Sequence, residues 1–172
     1  LDLAGGVTGG ALRIDLGLNV ERVPASGAFS QSFVVEADSV MRVQLDARMV
    51  FEGGFDYNEY VRAILTLDGQ PVLNNGHAWL IEKVGVGHSW QSGWQHFEFV
   101  FEGLSAGPHE LQLVGYVSSN SAADEVARIY FDNVHVEGIM VEDTTPIPNS
   151  SPEASPKSFN VIEDASYDFQ LD

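Results

Sequence analysis

An antiparallel β-sandwich is the all-β fold class this sequence predicts, on three observations. Apolar residues recur with period 2 and almost never with the 3.6 period of a helix. The alternating runs are rich in Val, Ile, Phe and Tyr, which suit a pleated, half-buried surface. Short turn signals separate them, as antiparallel neighbours require. The clearest run is residues 40–51, where Met41, Val43, Leu45, Ala47, Met49 and Phe51 alternate with Arg42, Gln44, Asp46 and Arg48. One face of such a strand is dry and the other wet.

In chain order, strands are expected over residues 11–17, 29–35, 40–51, 60–67, 70–73, 96–101, 109–117 and 127–136. Asp68-Gly69 joins the fourth and fifth as a tight hairpin, because Gly accepts the positive φ that such a turn needs. The run Gly103-Leu104-Ser105-Ala106-Gly107-Pro108 supplies another turn. In the last strand, core-facing Tyr130, Val134 and Val136 would place Asp132 on the same buried face. A bare carboxylate there needs hydrogen bonds or a cation.

Composition shifts near residue 142, dividing the chain into a sandwich domain (1–142), a Pro/Ser-rich linker (143–157) and a C-terminal strand segment (158–172). Four of the seven prolines fall in the linker, and proline denies ladder hydrogen bonds. Alternation resumes in the tail through Phe159 and Val161, with Tyr167, Phe169 and Leu171 following. That tail is either a strand docking on the sandwich or the first strand of a following domain. Leu1-Asp2-Leu3-Ala4 has neither a starting Met nor a basic flank, which predicts a chain beginning inside a longer gene product.

With 172 residues and 44% hydrophobic content, the chain can bury one sizeable core. Eight Lys+Arg against 25 Asp+Glu give a formal net charge of -17. That field repels phosphate backbones and anionic lipid heads, so nucleic acid and membrane surfaces are disfavoured partners. Divalent cations and neutral ligands fit it better, and solubility alone is the plainer use of the same charge. Cysteine is absent, which excludes disulfides and thiolate chemistry. No apolar run approaches the roughly 20 residues of a membrane span.

Calcium draws about six to eight hard oxygens, most easily from loops. Asp56, Asn58 and Glu59 lie in one Gly-rich loop, and Asp124 and Glu125 in another just before the strand that carries Asp132. These six are the candidate calcium ligands; alternatively they are solvated loop acids and backbone caps. Among the aromatics, Trp94 leads straight into the Phe97, Phe99 and Phe101 strand and reads as core. Trp90, in a Gly/Ser-rich loop, reads as a ligand-facing ring, with Tyr57 and Trp79 beside it as further candidates for stacking on a sugar. The histidines have no zinc-hydrolase spacing, and no nucleophile elbow is present. A glycosidase-type carboxylate pair could be drawn from Glu59, Asp124 and Glu125, as from any acidic loop cluster.

Thr8-Gly9-Gly10-Ala11-Leu12-Arg13-Ile14-Asp15-Leu16-Gly17, Phe55-Asp56-Tyr57-Asn58-Glu59-Tyr60, Thr66-Leu67-Asp68-Gly69, Gly93-Trp94-Gln95, Leu104-Ser105-Ala106-Gly107-Pro108-His109-Glu110-Leu111 and Phe131-Asp132-Asn133-Val134 form a pattern over about residues 8–138. It resembles jelly-roll domains like carbohydrate-binding modules in large bacterial secreted adhesins. The tail Asn160-Val161-Ile162-Glu163-Asp164-Ala165-Ser166-Tyr167-Asp168-Phe169 is similar to the opening of cadherin-like repeats. The resemblance implies an extracellular or cell-surface module, with calcium as its cofactor and acidic positions at Glu59, Asp124, Glu125 and Asp132. The resulting expectation is a noncatalytic module binding a glycan or another extracellular polymer. A spacer or filament subunit whose tail pairs with neighbouring domains or subunits, and a polysaccharide-active enzyme, are the alternatives.

Overall fold

The computed structural model describes residues 2, 4–7, 9–17, 22–36, 39–140 and 167–168. The linker 143–157 therefore lies outside the described residues, as does all of the tail except Tyr167 and Asp168. Eleven strands are found among the described residues: β1 (Leu12–Leu16), β2 (Ala25–Val35), β3 (Ser39–Glu52), β4 (Tyr60–Leu67), β5 (Gln70–Pro71), β6 (Ile81–Val84), β7 (Trp90–Gln91), β8 (Gln95–Phe101), β9 (Gly107–Val117), β10 (Val126–Met140) and β11 (Tyr167–Asp168). No helix there is long and apolar enough to cross a membrane.

The strands form two antiparallel sheets. One runs β1-β10-β3, with β8 and β7 on the far edge of β3 and β11 on β10. The other runs β2-β9-β4, with β5 and β6 on β4. β1 pairs with β10, β2 with β9, β3 with β8 and β4 with β6, the nested hairpin pairing of a jelly roll. The long alternating run is realised in β3: Val43, Leu45, Ala47 and Met49 are fully buried between the sheets, while their neighbours face outward. Val61 and Leu65 of β4 meet them from the facing sheet, and Ile129 and Phe131 lie beside them on neighbouring β10, in one continuous core.

β2 begins four residues before the expected strand, because Ala25-Ser26-Gly27-Ala28 has too little apolar contrast to show a period. Its Gly27 pairs directly with Gly115 of β9. A Cβ at Gly115 would sit 3.0 Å from both Ile14 and Ile129, so the two glycines open the inner face for β1 and β10 side chains. β6 and β7 were not legible as strands, since two to four residues carry no readable alternation.

The last long strand corrects one expectation. Ala127, Ile129 and Phe131 face the core, so Tyr130 and Asp132 do not. Between Asp132 and His135 the register with β3 slips by one residue, with Asn133 at φ 49°. That β-bulge reverses the phase, and only beyond it do Val134 and Val136 pack against the core. Asp132 pairs with Asp46 off the core face, where its carboxylate accepts from the amides of Val7 at 2.6 Å and Asn133 at 2.8 Å. Backbone hydrogen bonds hold it in place of the buried setting that period 2 implied.

The β4–β5 hairpin is latched to the turn before β9. Asp68, at φ 51°, accepts from the Glu110 amide at 2.9 Å and faces His109 Nδ1 at 2.6 Å. His109 Nε2 lies 2.8 Å from the Ser105 carbonyl, which can only accept, so both ring nitrogens donate. The Ser105 carbonyl first, then Asp68, raises the His109 pKa; the Glu110 amide first, then His109, lowers that of Asp68. A raised histidine pKa contributes stability that is full below about pH 6.5 and lost as pH rises through the folded value. The lowered Asp68 contributes above about pH 3.9 and is lost in acid below that. From about pH 6 to about pH 9 the melting temperature is therefore expected to fall, and His109→Gln to flatten that slope. Equal slopes in both proteins would remove His109 as its source.

Candidate metal centre and adjoining aromatic face

Three of the six expected ligands converge. Oxygens of Asp56, Glu59 and Glu125 lie within 4.8 Å of one another. Asp56 and Glu59 come from the β3–β4 loop, Glu125 from the end of the β9–β10 loop. These loops touch through their backbones. Gly53, at φ 93°, lies so close to the Asp124 carbonyl that any Cβ would overlap it. On the other side, a Cβ at Gly85 would overlap the carbonyls of Phe55 and Asp56, and the Gly87 amide donates to Phe55 O at 3.0 Å. Phe55 itself is fully buried, its ring 4.7 Å from that of Phe51 at the end of β3. The acidic loop is thus pinned to the core by one aromatic anchor.

Glu59 and Glu125 are each only 2% exposed. Glu59 Oε2 accepts from the Asp56 amide at 2.9 Å, and its Oε1 from Ser119 Oγ at 3.3 Å. Glu125 Oε2 accepts from the amides of Ser121 and Ala122, the latter at 2.7 Å. Ser121 Oγ lies 3.1 Å from Asp56 Oδ2 and 3.2 Å from Glu125 Oε1, but its single proton cannot serve both. No Lys, Arg or His forms an ion pair with any of the three among the described residues. Two unit charges at that 4.8 Å limit repel by roughly 3 kcal/mol at an effective dielectric of about 20. Backbone amides hold Glu59 and Glu125, and the Ser121 hydroxyl reaches Asp56, without any of these groups bringing a positive charge.

The carboxylates of Asp124 and Asp132 are not in this cluster. Asp124 is exposed on the second loop, and Asn58 is exposed on the first, one position before Glu59. Asp132 is seven residues along β10 from Glu125, on the order of 20 Å at strand rise, and its oxygens are engaged at the bulge.

The aromatic candidates separate in the same way. Tyr57 is 77% exposed at the tip of the acidic loop. Trp90 is half-buried against the core, edge-on to Phe51 at 5.7 Å with Lys83 Nζ 4.9 Å above its ring, so one side of it is structural. Trp94 is not core. It is half-buried and sits edge-on to Tyr130 at 6.4 Å, on the outer side of the sheet where Arg48 also lies over Tyr130.

Trp79 belongs to a cluster that the sequence did not disclose. The Arg62 guanidinium lies 4.1 Å from the Trp79 ring centroid and 4.4 Å from that of Tyr60, and pairs with Glu82 at 2.6 Å. Tyr116 stands 5.9 Å from Tyr60, and His77 stacks on Trp79 at 4.8 Å. Burial pushes the Tyr116 phenol pKa up, so it stays a neutral hydroxyl. Tyr60 and Arg62 alternate with fully buried Val61 and Ala63, which would have marked them as outward-facing. Their meeting with Tyr116 and Glu82 required the order of strands in the sheet. Arg62 thus lies over both the Trp79 and the Tyr60 rings and covers a face of each by cation–π contact.

No protein-family model matches the chain, and no curated protein sequence matches it.

Proposed function

We propose that this domain is a noncatalytic, extracellular binding module for a glycan or another surface polymer, with a calcium ion at Asp56, Glu59 and Glu125. The observation that carries the reading is the triad: carboxylates from two loops, two of them buried, with no basic side chain among the described residues to balance them. A hard divalent cation supplies that balance and accepts the oxygens left without a proton donor. Calcium here would tie the two loops together and stiffen the end of the sandwich. Burial supports a noncatalytic role, because Glu59 and Glu125 are too enclosed to flank a sugar bond. Exposed Tyr57 supplies a ring for stacking, and the cluster of Trp79, Tyr60 and Arg62 adds aromatic edges and hydrogen-bond donors. The resemblance to carbohydrate-binding-module-like domains of adhesins supports the glycan and the cell-surface setting.

A glycan array probed with the full chain tests the reading. Binding is expected in calcium, reduced by chelator, and weakened at least about tenfold by Trp79→Ala, the loss of one aromatic anchor. A glycan bound equally well by Trp79→Ala would move the ligand off this face. No glycan bound at all would favour a structural spacer instead.

A further inference from the structure

Most strands that end the two sheets are protected against pairing with another chain. β5 and β7 are two residues long. β1 carries Arg13 and Asp15, β6 carries Glu82 and Lys83, and β8 carries His96 and Glu98. Short length and charge are the usual devices that keep a sheet edge from recruiting a strand. β2 has neither. It runs for eleven residues, and residues 23–35 contain no Asp, Glu, Lys, Arg or His. β2 itself holds no proline, and its register with β9 continues without a bulge from Ala25 opposite Val117 to Val35 opposite Gly107. Among the described residues, no strand pairs with its other edge.

This edge is held firmly from within. Phe29 and Phe33 pack against the core, and Phe33 stacks on His109 at 5.8 Å. On the outward row Ser26, Ala28, Ser30, Ser32 and Val34 are exposed, compact and uncharged. The rest of the chain bears on what can approach. With 25 Asp+Glu against 8 Lys+Arg, two copies repel one another in most orientations. An uncharged edge is where that repulsion is weakest. We infer that β2 is a self-association edge, at which two copies of the chain pair β2 with β2, antiparallel about a two-fold axis at Ser30, and join their five-stranded sheets into one.

Ser30 is the midpoint of Ala25–Val35, so this register overlaps all eleven residues. It sets Ser30 opposite Ser30, Ala28 opposite Ser32, and Phe33 opposite Gly27 of the second copy. Glu110 stands one strand inward on β9, opposite Ser32. The two Glu110 carboxylates of such a pair are three strand spacings apart, at least about 14 Å, which exceeds the screening length at physiological salt. The contact is self-complementary, so it closes at a dimer, and main-chain hydrogen bonds supply its affinity.

Sedimentation of the full chain is expected to show a reversible monomer–dimer equilibrium between about 1 μM and about 1 mM protein. Ser30→Lys is expected to weaken it at least about tenfold, because two ammonium groups then face each other at the axis. The same change lowers the net negative charge, so general repulsion alone would give the opposite result. Val100→Lys, at an exposed position of β8, is the matched control and is expected to leave the equilibrium in place. The absence of native cysteine allows a second measurement. With oxidised glutathione as oxidant, Ser30→Cys is expected to form an intermolecular disulfide at least about tenfold faster than Ala28→Cys or Ser32→Cys. Only at the axis does a residue face its own copy within disulfide reach, roughly 4.5–5.5 Å between Cα atoms. A monomer throughout the range, a dimer that Ser30→Lys leaves unchanged, equal weakening by both lysines, or equal cross-linking at the three positions would each overturn the inference.

Discussion

Calcium added to the metal-free protein is expected to raise its melting temperature by about 5–10 °C at a hundredfold excess over the dissociation constant. The size follows from linkage: a ligand that binds only the folded chain stabilises it by about 2.7 kcal/mol at that excess. For a chain of this length, each kcal/mol moves the midpoint by about 2–4 °C. Glu125→Gln isolates the charge. The amide oxygen can still accept from Ser121 and Ala122, so the loop keeps its cap while the cation loses a ligand. The calcium shift is expected to vanish with the fold intact. Glu125→Ala differs in kind, because it leaves two backbone donors without an acceptor at about 1–3 kcal/mol each. Scanning calorimetry with and without calcium distinguishes the three proteins. A shift of undiminished size in Glu125→Gln, or none in the parent chain, would sink the metal assignment.

Phe55→Ala carries the second large effect, and it couples core to site. Deleting a buried phenylalanine costs about 3–5 kcal/mol through lost transfer energy and the cavity left behind. Phe55 also anchors the loop holding Asp56 and Glu59, through its ring on Phe51 and its carbonyl at Gly87. Its loss is therefore expected to lower the urea midpoint and weaken calcium binding together. Phe131→Ala is the matched control. It is equally buried but lies six residues along β10 from Glu125, about 20 Å away. It is expected to destabilise by a similar amount and leave the calcium isotherm near that of the parent. Parallel losses of affinity in both variants would show that general loosening, rather than this anchor, controls the site.

Residues 40–51 were legible as a strand because a sheet with one dry face imposes period 2 on its sequence, and β3 obeys it from Val40 to Phe51. The hairpin at Asp68-Gly69 was legible for a local reason, the positive φ of both residues. β10 shows where such reading stops. One extra residue at Asn133 reverses the facing of everything beyond it, and nothing in the alternation of Val134 and Val136 reveals the slip. For the site, acid-rich loops could be nominated from composition, but their convergence could not. Asp56 and Glu125 are 69 positions apart in the chain and meet because β4 and β10 begin at the same end of the sandwich.

Local chemistry thus established the strands, the turns, the acidic loops and the surplus of negative charge, since each depends on neighbours within a few positions. Three-dimensional packing brought the carboxylates of Asp56, Glu59 and Glu125 together, sent Asp132 to a bulge, and gathered Arg62, Tyr60 and Trp79 in one cluster. Those outcomes depend on which strands lie side by side and in what register. Sheet order joins residues distant in the chain, and no periodicity along the chain encodes it.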